Sequence, residues 1–268
     1  MDLVLVTGGT GHLGRDVVRL LKAQQHQVRI LARAPGRDPG VDWVRGDLAT
    51  GEGVEGALHG VQTIVHAATL SPAAQRGRFR LGDFVRSPPD VDVDGTRRLL
   101  AEARRVGVEH FVHVSIVGVQ QARVPYSRVK AAAEDLVRTS EVAYSIVPAT
   151  GFYWLLARFL DNLAPRRIWP LPSNLVLQPV DSADFAAYLV ECVTDGQRGN
   201  RDGFGGPEDL SMVDIARQYQ RARGVRRRIL PLRLPGAAIR AAGPQSCPGG
   251  RRGRTTWSEW LARHRTTD

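Results

Sequence analysis

The opening strand, loop and helix constrain this chain more than any other feature. A β-branched run, Leu3 to Val6, enters Thr7-Gly8-Gly9-Thr10-Gly11-His12-Leu13-Gly14 and leaves as a helical pattern from about Leu13 to Ala23. A buried strand feeding a glycine turn and an amphipathic helix is the first unit of a parallel sheet covered by helices. In Gly9-x-Gly11-x-x-Gly14 each glycine has a physical task. Gly9 is expected to allow the tight turn, Gly11 to admit a pyrophosphate to the backbone, and Gly14 to seat the helix against the sheet. The N–H groups that open the helix then face an anion. The order strand, loop, helix predicts a dinucleotide site; the bland alternative is a glycine turn with no ligand.

The same alternation continues. Short apolar runs at Val28–Ala32, Val41–Val44, Thr63–His66, Phe111–Val114 and Tyr144–Val147 are separated by helical patterns near Val54–Leu58, Val93–Val106 and Tyr126–Arg138. This predicts an α/β fold, a Rossmann-type doubly wound parallel sheet over residues 1–150. After Pro148 the rhythm changes: Gly151–Leu163 is apolar and helical, and Pro165, Pro170 and Pro172 break it. Asp181–Val193 reads as a helix capped by Asp181 or Ser182, and Ser211 with Asp214 opens another. Residues 151–268 are expected to form a smaller C-terminal substrate lobe, partly interleaved with the core and packed over the C-terminal ends of the strands. Ala241–Arg254, rich in Gly, Pro and Arg, is expected as a loop or a mobile segment. The long connection Ser71–Pro89 suits either a lid over the substrate or an inert surface loop.

Composition narrows the class. The 268 residues are 43% hydrophobic, enough for a real core. No apolar run approaches the roughly 18–20 residues that cross a bilayer, so no membrane partner is expected. The start MDLVLVTGG lacks a basic leader, and two cysteines are too few for a disulfide framework, so a cytoplasmic, reduced protein is expected. The formal charge is +10, but only Lys22 and Lys130 among the 37 basic residues are lysine. Arginine is thus the default surface cation, and a solvated basic surface is favoured over a nucleic-acid face. The seven histidines lack metal-ligand spacing, and no metal is expected. The expected partner is a small-molecule substrate, with the chain a monomer or homodimer.

Two further signals carry chemistry. After the second strand comes Leu31-Ala32-Arg33-Ala34-Pro35-Gly36-Arg37, with no acid until Asp38. A carboxylate there would hold a ribose 2′-hydroxyl, whereas guanidinium binds a 2′-phosphate, so NADP(H) is preferred over NAD(H). Tyr126 and Lys130 stand at i and i+4 on one helix face. A nearby ammonium lowers a phenol's pKa and makes tyrosine a usable acid–base. The lysine is itself a clue in a chain that otherwise uses arginine, because a point-charge ammonium and a planar guanidinium are not equivalent. Phe152, Tyr153, Trp154 and Trp169 are candidate walls of an aromatic pocket, with lobe core the more ordinary role.

Together, Thr7-Gly8-Gly9-Thr10-Gly11-His12-Leu13-Gly14 and Tyr126-x-x-x-Lys130 resemble the short-chain dehydrogenase/reductase superfamily, nearest its extended and atypical, NmrA-like branches. Gly46-Asp47-Leu48, Val65-His66-Ala67-Ala68, Val93-Asp94-Gly95-Thr96, His113-Val114-Ser115 and Gln178-Pro179-Val180 extend the likeness along nearly the whole chain. The resemblance implies that Gly8, Thr10, Gly11, His12, Leu13 and Gly14 bind cofactor. It places Asp47 and Leu48 at the adenine, Ala67 and Ala68 along the nucleotide, and Pro148 near the nicotinamide. Tyr126 would be the acid–base, Lys130 the ribose ligand, and Ser115 the group that polarises a carbonyl. Ser115-Ile116 replaces the family's usual Ser-Ser, Asp92 stands where many relatives carry asparagine, and Val147-Pro148 replaces a frequent Arg-Pro. The expected activity is hydride transfer between nicotinamide and a carbonyl or alcohol carbon of a small, uncharged or aromatic substrate. The alternatives are a non-catalytic NADP sensor of NmrA-like type and an isomerase or epimerase with tightly held cofactor.

Overall fold

A computed structural model describes residues 2–34, 36–69, 89–196 and 198–264. The lid expected over Ser71–Pro89 lies, Pro89 aside, outside the described residues. The first half runs β1 (Leu3–Thr7), α1 (His12–Ala23), β2 (Gln27–Ala32), β3 (Asp42–Arg45), α2 (Val54–Leu58) and β4 (Thr63–His66). A π-helical turn, Asp90–Gly95, then leads into α3 (Thr96–Val106), β5 (His110–Ile116), α4 (Pro125–Arg138) and β6 (Tyr144–Ala149). Val4, Leu5 and Val6 are fully buried, as a strand covered on both faces requires. Each such side chain contributes about 1.5–3 kcal/mol by leaving water.

The six main strands are all parallel and lie in the order β3-β2-β1-β4-β5-β6, a Rossmann-type sheet. Strand order reverses between β1 and β4, where Thr7 pairs with His66. A crevice forms outside the carboxyl ends of strands at such a reversal. Here those ends carry the glycine loop and Ala67-Ala68-Thr69. The expected helix at Val93–Val106 is α-helical only from Thr96, and the preceding turn is wider.

Beyond β6 come α5 (Tyr153–Leu163), β7 (Ile168–Pro172), β8 (Val176–Leu177), α6 (Ser182–Thr194), β9 (Gly199–Asn200) and β10 (Phe204–Gly205). The chain ends through β11 (Leu210–Ser211), α7 (Met212–Arg223), β12 (Arg228–Leu232), α8 (Gly236–Ala242), β13 (Arg251–Arg252) and α9 (Trp257–Arg263). Asp181 caps α6 by accepting from the Ala183 amide, and Ser211 caps α7 by accepting from Asp214. Thr256 and Glu259 form a reciprocal capping box on α9.

The second half does not form one separate lobe. Phe185, Leu189 and Phe204 join Val4, Val17 and Leu21 in the core on one face of the sheet. β9 and β10 both pair with β6, and β13 pairs with β10. The lobe proper is a distinct apolar cluster that includes Tyr153, Trp169, Tyr219 and Trp257. Within it β7 and β12 pair in parallel, Ile168 beside Arg228. The segment expected as a loop, Ala241–Arg254, is corrected at both ends: α8 continues through Ala242, and Arg251–Arg252 closes the sheet edge. Among the described residues no helix is long and apolar enough to cross a membrane.

Candidate cofactor and proton-transfer site

The glycine loop is wound more tightly than its spacing alone requires. Gly8 has φ +75°, and a Cβ there would stand 2.7 Å from the Ala68 amide nitrogen. The left-handed turn residue is therefore Gly8, which corrects the role expected of Gly9. Gly9 instead makes room for Ile30 on β2, whose Cδ1 would lie 2.9 Å from an added Cβ. A Cβ on Gly14 would come within 2.1 Å of the Gly8 carbonyl oxygen, so the first turn of α1 rests directly on the loop.

Gly11 is the N-cap of α1, with no side-chain cap and no acidic residue in the first turn. Thr10, Gly11 and His12 are exposed, whereas Leu13 is buried in the core and anchors the helix. An uncapped helix start above a glycine cradle fits the pyrophosphate of a dinucleotide, by dipole and by donors together. Trp154 of α5 adds an aromatic surface there, stacked on His12 with ring centroids 4.5 Å apart. Burial, reinforced by Arg158 and Arg15, lowers the His12 pKa.

At the end of β2, Arg33 and Arg37 are both exposed. Asp38, the nearest acid, is bound by Lys22 of α1 at 2.6 Å and accepts from the Gly40 amide at 2.9 Å. The Lys22 hydrogen bond holds its carboxyl below the usual range. Asp47 accepts from the Ala49 amide at 2.9 Å, fixing the turn that follows β3. Leu48 is buried against Gly95, where an added Cβ would stand 3.0 Å from the leucine Cβ. Ala67 and Ala68 lie against Gly8.

Tyr126 and Lys130, on the first two turns of α4, meet the end of β4 and the π-helical turn. Asp92 is 1% exposed and Lys130 5% exposed. The Asp92 Oδ1 accepts from Thr69 Oγ1 at 2.7 Å and from Lys130 Nζ at 3.3 Å. Lys130 also donates to the Val114 carbonyl at 3.3 Å. The hydroxyl of Tyr126, a half-buried residue, is in hydrogen-bonding contact with Thr69. Burial raises the Tyr126 pKa; Lys130 pulls it down and Asp92 pushes it up. Burial works against the Lys130 charge, but Asp92 and Tyr126 outweigh it and raise the ammonium pKa.

A buried rail holds this cluster to the sheet. Thr7 Oγ1 lies 2.7 Å from His66 Nδ1, and His66 Nε2 lies 2.9 Å from Thr96 Oγ1. Thr96 in turn donates to the Asp92 carbonyl at 2.7 Å. With that donor committed, Thr96 accepts from His66, which assigns the imidazole proton to Nε2. Burial depresses the His66 pKa to about 3, so the ring is neutral.

Ser115 does not join this group. Its hydroxyl donates to Glu134 on α4, which also accepts from Gln120 at 2.8 Å and Arg138 at 2.7 Å. The role expected of Ser115, polarising a carbonyl beside Tyr126, is corrected: its donor is already used, and its residue is 3% exposed. Pro148 pairs with Ser115 across the sheet and lines a cleft of about 230 Å³ with Gln120, Glu134 and Arg201. Neither Tyr126 nor Lys130 lines that cleft. Tyr153 and Trp169 are fully buried lobe core, and only Trp154 of the aromatic set reaches the glycine loop. Thr69 and Glu134 are the residues that sequence reasoning missed. Thr69 directly follows Ala67-Ala68, a position that the strand-end location alone could have flagged.

Comparison with known proteins finds matches along most of the chain. The NAD(P)H-binding family matches residues 8–196. The photosystem II assembly factor Ycf39 of Cyanophora paradoxa is 26% identical over 253 residues, covering 91% of this chain and 75% of that protein. The chloroplastic divinyl chlorophyllide a 8-vinyl-reductase of Oryza sativa subsp. indica is 31% identical over 264 residues, covering 88% of this chain but 63% of that protein. Among solved structures, MoeE5 in complex with UDP-glucuronic acid and NAD superposes with a TM-score of 0.74 at 21% identity, over 98% of this chain and 97% of that one. The chain belongs to the NAD(P)H-binding family, and its fold is that of the solved NAD-bound structures it resembles.

Proposed function

We propose that the protein is an NADP(H)-dependent oxidoreductase of ketoreductase type, acting on a small uncharged or aromatic carbonyl compound. The observation that carries this reading is the half-buried residue Tyr126, one helical turn from a buried lysine held in its charged form. A reduced nicotinamide, when bound, supplies the hydride that the carbonyl carbon accepts. Tyr126 gives its phenolic proton to the carbonyl oxygen, so C=O becomes CH–OH and the phenolate regains a proton from solvent. Lys130 steadies that phenolate, and the start of α1 holds the pyrophosphate. Preference for NADP is supported by exposed Arg33 and Arg37, and by Asp38 being tied to Lys22 rather than left for a ribose. The reductase named among the relatives supports the reductive direction.

The test is NADPH consumption, followed by absorbance, across a panel of aromatic and aliphatic ketones, aldehydes and enones, with NADH in parallel. Net consumption with at least one carbonyl class, faster with NADPH, is the expected result. Turnover without net consumption would assign an isomerase. A second reading, an NADP sensor without turnover, is favoured by the capture of Ser115 by Glu134. Tight NADPH binding with no consumption across the panel would select it.

A further inference from the structure

Asp92 is a buried carboxylate that the reaction above does not use. It arrives on the π-helical turn, accepts from Thr69 and Lys130, and is 1% exposed. An asparagine oxygen could accept from Thr69 and Lys130 without a charge, so at those two contacts the carboxylate adds an electrostatic effect. Lys130 alone, one helical turn from Tyr126, would draw the phenol toward its ionised form. Paired with Asp92 in a site of low polarity, its positive field is largely cancelled.

Thr69 extends the effect. Its hydroxyl hydrogen is committed to Asp92, so toward Tyr126 the oxygen serves as acceptor. A phenolate could gain that hydrogen only by taking it from a carboxylate. Among the described residues, the other charged or titratable groups that act on the pair include Glu134 on α4, His66 on β4 and His113 on β5. Both imidazoles are kept neutral by burial, and Glu134 is occupied by Ser115, Gln120 and Arg138.

We infer that Asp92 is a positioning residue that keeps Tyr126 in its proton-bearing form, by cancelling the Lys130 charge and by holding the Thr69 hydrogen. The site is thereby set to give a proton rather than take one at neutral pH. This rests on the proton-donor role proposed for Tyr126, but its test needs neither substrate nor cofactor.

The experiment is a near-ultraviolet titration of tyrosinate absorbance, with a Tyr126→Phe version of each protein subtracted to isolate Tyr126. In the otherwise unaltered chain the isolated midpoint is expected above the ordinary tyrosine value of about 10. Asp92→Asn is expected to lower it by about one pH unit or more, and Lys130→Met to raise it. Should Asp92→Asn fail to fold, Asp92→Ser is read in the same way. A wild-type midpoint below the ordinary value overturns the inference, whatever the variants do. So does an Asp92 variant, folded by circular dichroism, whose midpoint is unmoved or higher. Failure of the carbonyl panel with these shifts present would remove the proposed substrate class and leave the role of Asp92 standing.

Discussion

Ser115 on β5 donates its hydroxyl hydrogen to Glu134, one helical turn beyond Lys130 on α4. Both residues are buried, and Glu134 gathers two further donors, from Gln120 and Arg138. This is a structural junction between strand and helix. Ser115→Ala is therefore expected to lower stability by about 1.5–3 kcal/mol, the cost of one lost hydrogen bond to a buried charged group. Turnover with NADPH should stay within a few-fold of the parent. Thermal unfolding and steady-state rates measured on the same preparation decide it; a hundred-fold loss of turnover at unchanged stability would return Ser115 to the chemistry.

Tyr126 is expected to behave in the opposite way. Tyr126→Phe removes the phenolic proton but keeps the ring, and Lys130 stays paired with Asp92. NADPH affinity, read by fluorescence titration, should be unchanged. Turnover should fall by about 10²-fold or more, the scale of general acid catalysis. Full activity would take tyrosine out of the mechanism.

These two outcomes mark what a sequence can and cannot disclose. The strand–loop–helix unit is legible because apolar periodicity changes from two to 3.6 across a glycine run, a purely local signal. The Tyr126–Lys130 pair is legible for the same reason, since i and i+4 share a face wherever a helix forms. The partner of Ser115 is set by how α4 packs on β5, which no spacing encodes. The motif's first glycine, Gly9, is the natural candidate for the turn, yet the left-handed φ belongs to Gly8, pressed against Ala67 and Ala68 just beyond β4. Two-residue strands such as β9, β10 and β13 carry too few side chains for a periodic pattern.

Cofactor choice has its own test. Arg33 and Arg37 follow β2 without a competing carboxylate, because Asp38 is held by Lys22. Arg33→Ser is expected to raise the KM for NADPH about ten-fold or more, as loss of a charge-assisted hydrogen bond to phosphate would. The KM for NADH should hardly move, since NADH has no 2′-phosphate. The ratio of kcat/KM values for the two cofactors is the measurement, and an unchanged ratio would assign the phosphate, if bound, to other residues.

Three buried histidines predict how stability depends on pH. Burial lowers His66 to about 3, His110 to about 4 and His113 well below its ordinary value. The unfolded chain takes up protons on these rings below about pH 6.5, and the folded chain does not. Their neutral forms thus support the fold fully above that pH, and the support is lost as pH falls toward about 4 and then about 3. Each ring contributes a slope of up to about 1.4 kcal/mol per pH unit across its window. Neither ring nitrogen of His113 has a hydrogen-bond partner among the described residues, whereas His66 is held by Thr7 and Thr96. His113→Leu replaces an unpartnered polar ring with an apolar side chain of similar size, so stability near pH 7 should be kept or increased. The acid-side slope should shrink by up to about 1.4 kcal/mol per pH unit below about pH 6.5, the share of one ring. Urea unfolding at stepped pH values between neutrality and the onset of acid denaturation measures both quantities. An acid slope identical to the parent would mean that His113 takes up its proton in the folded state.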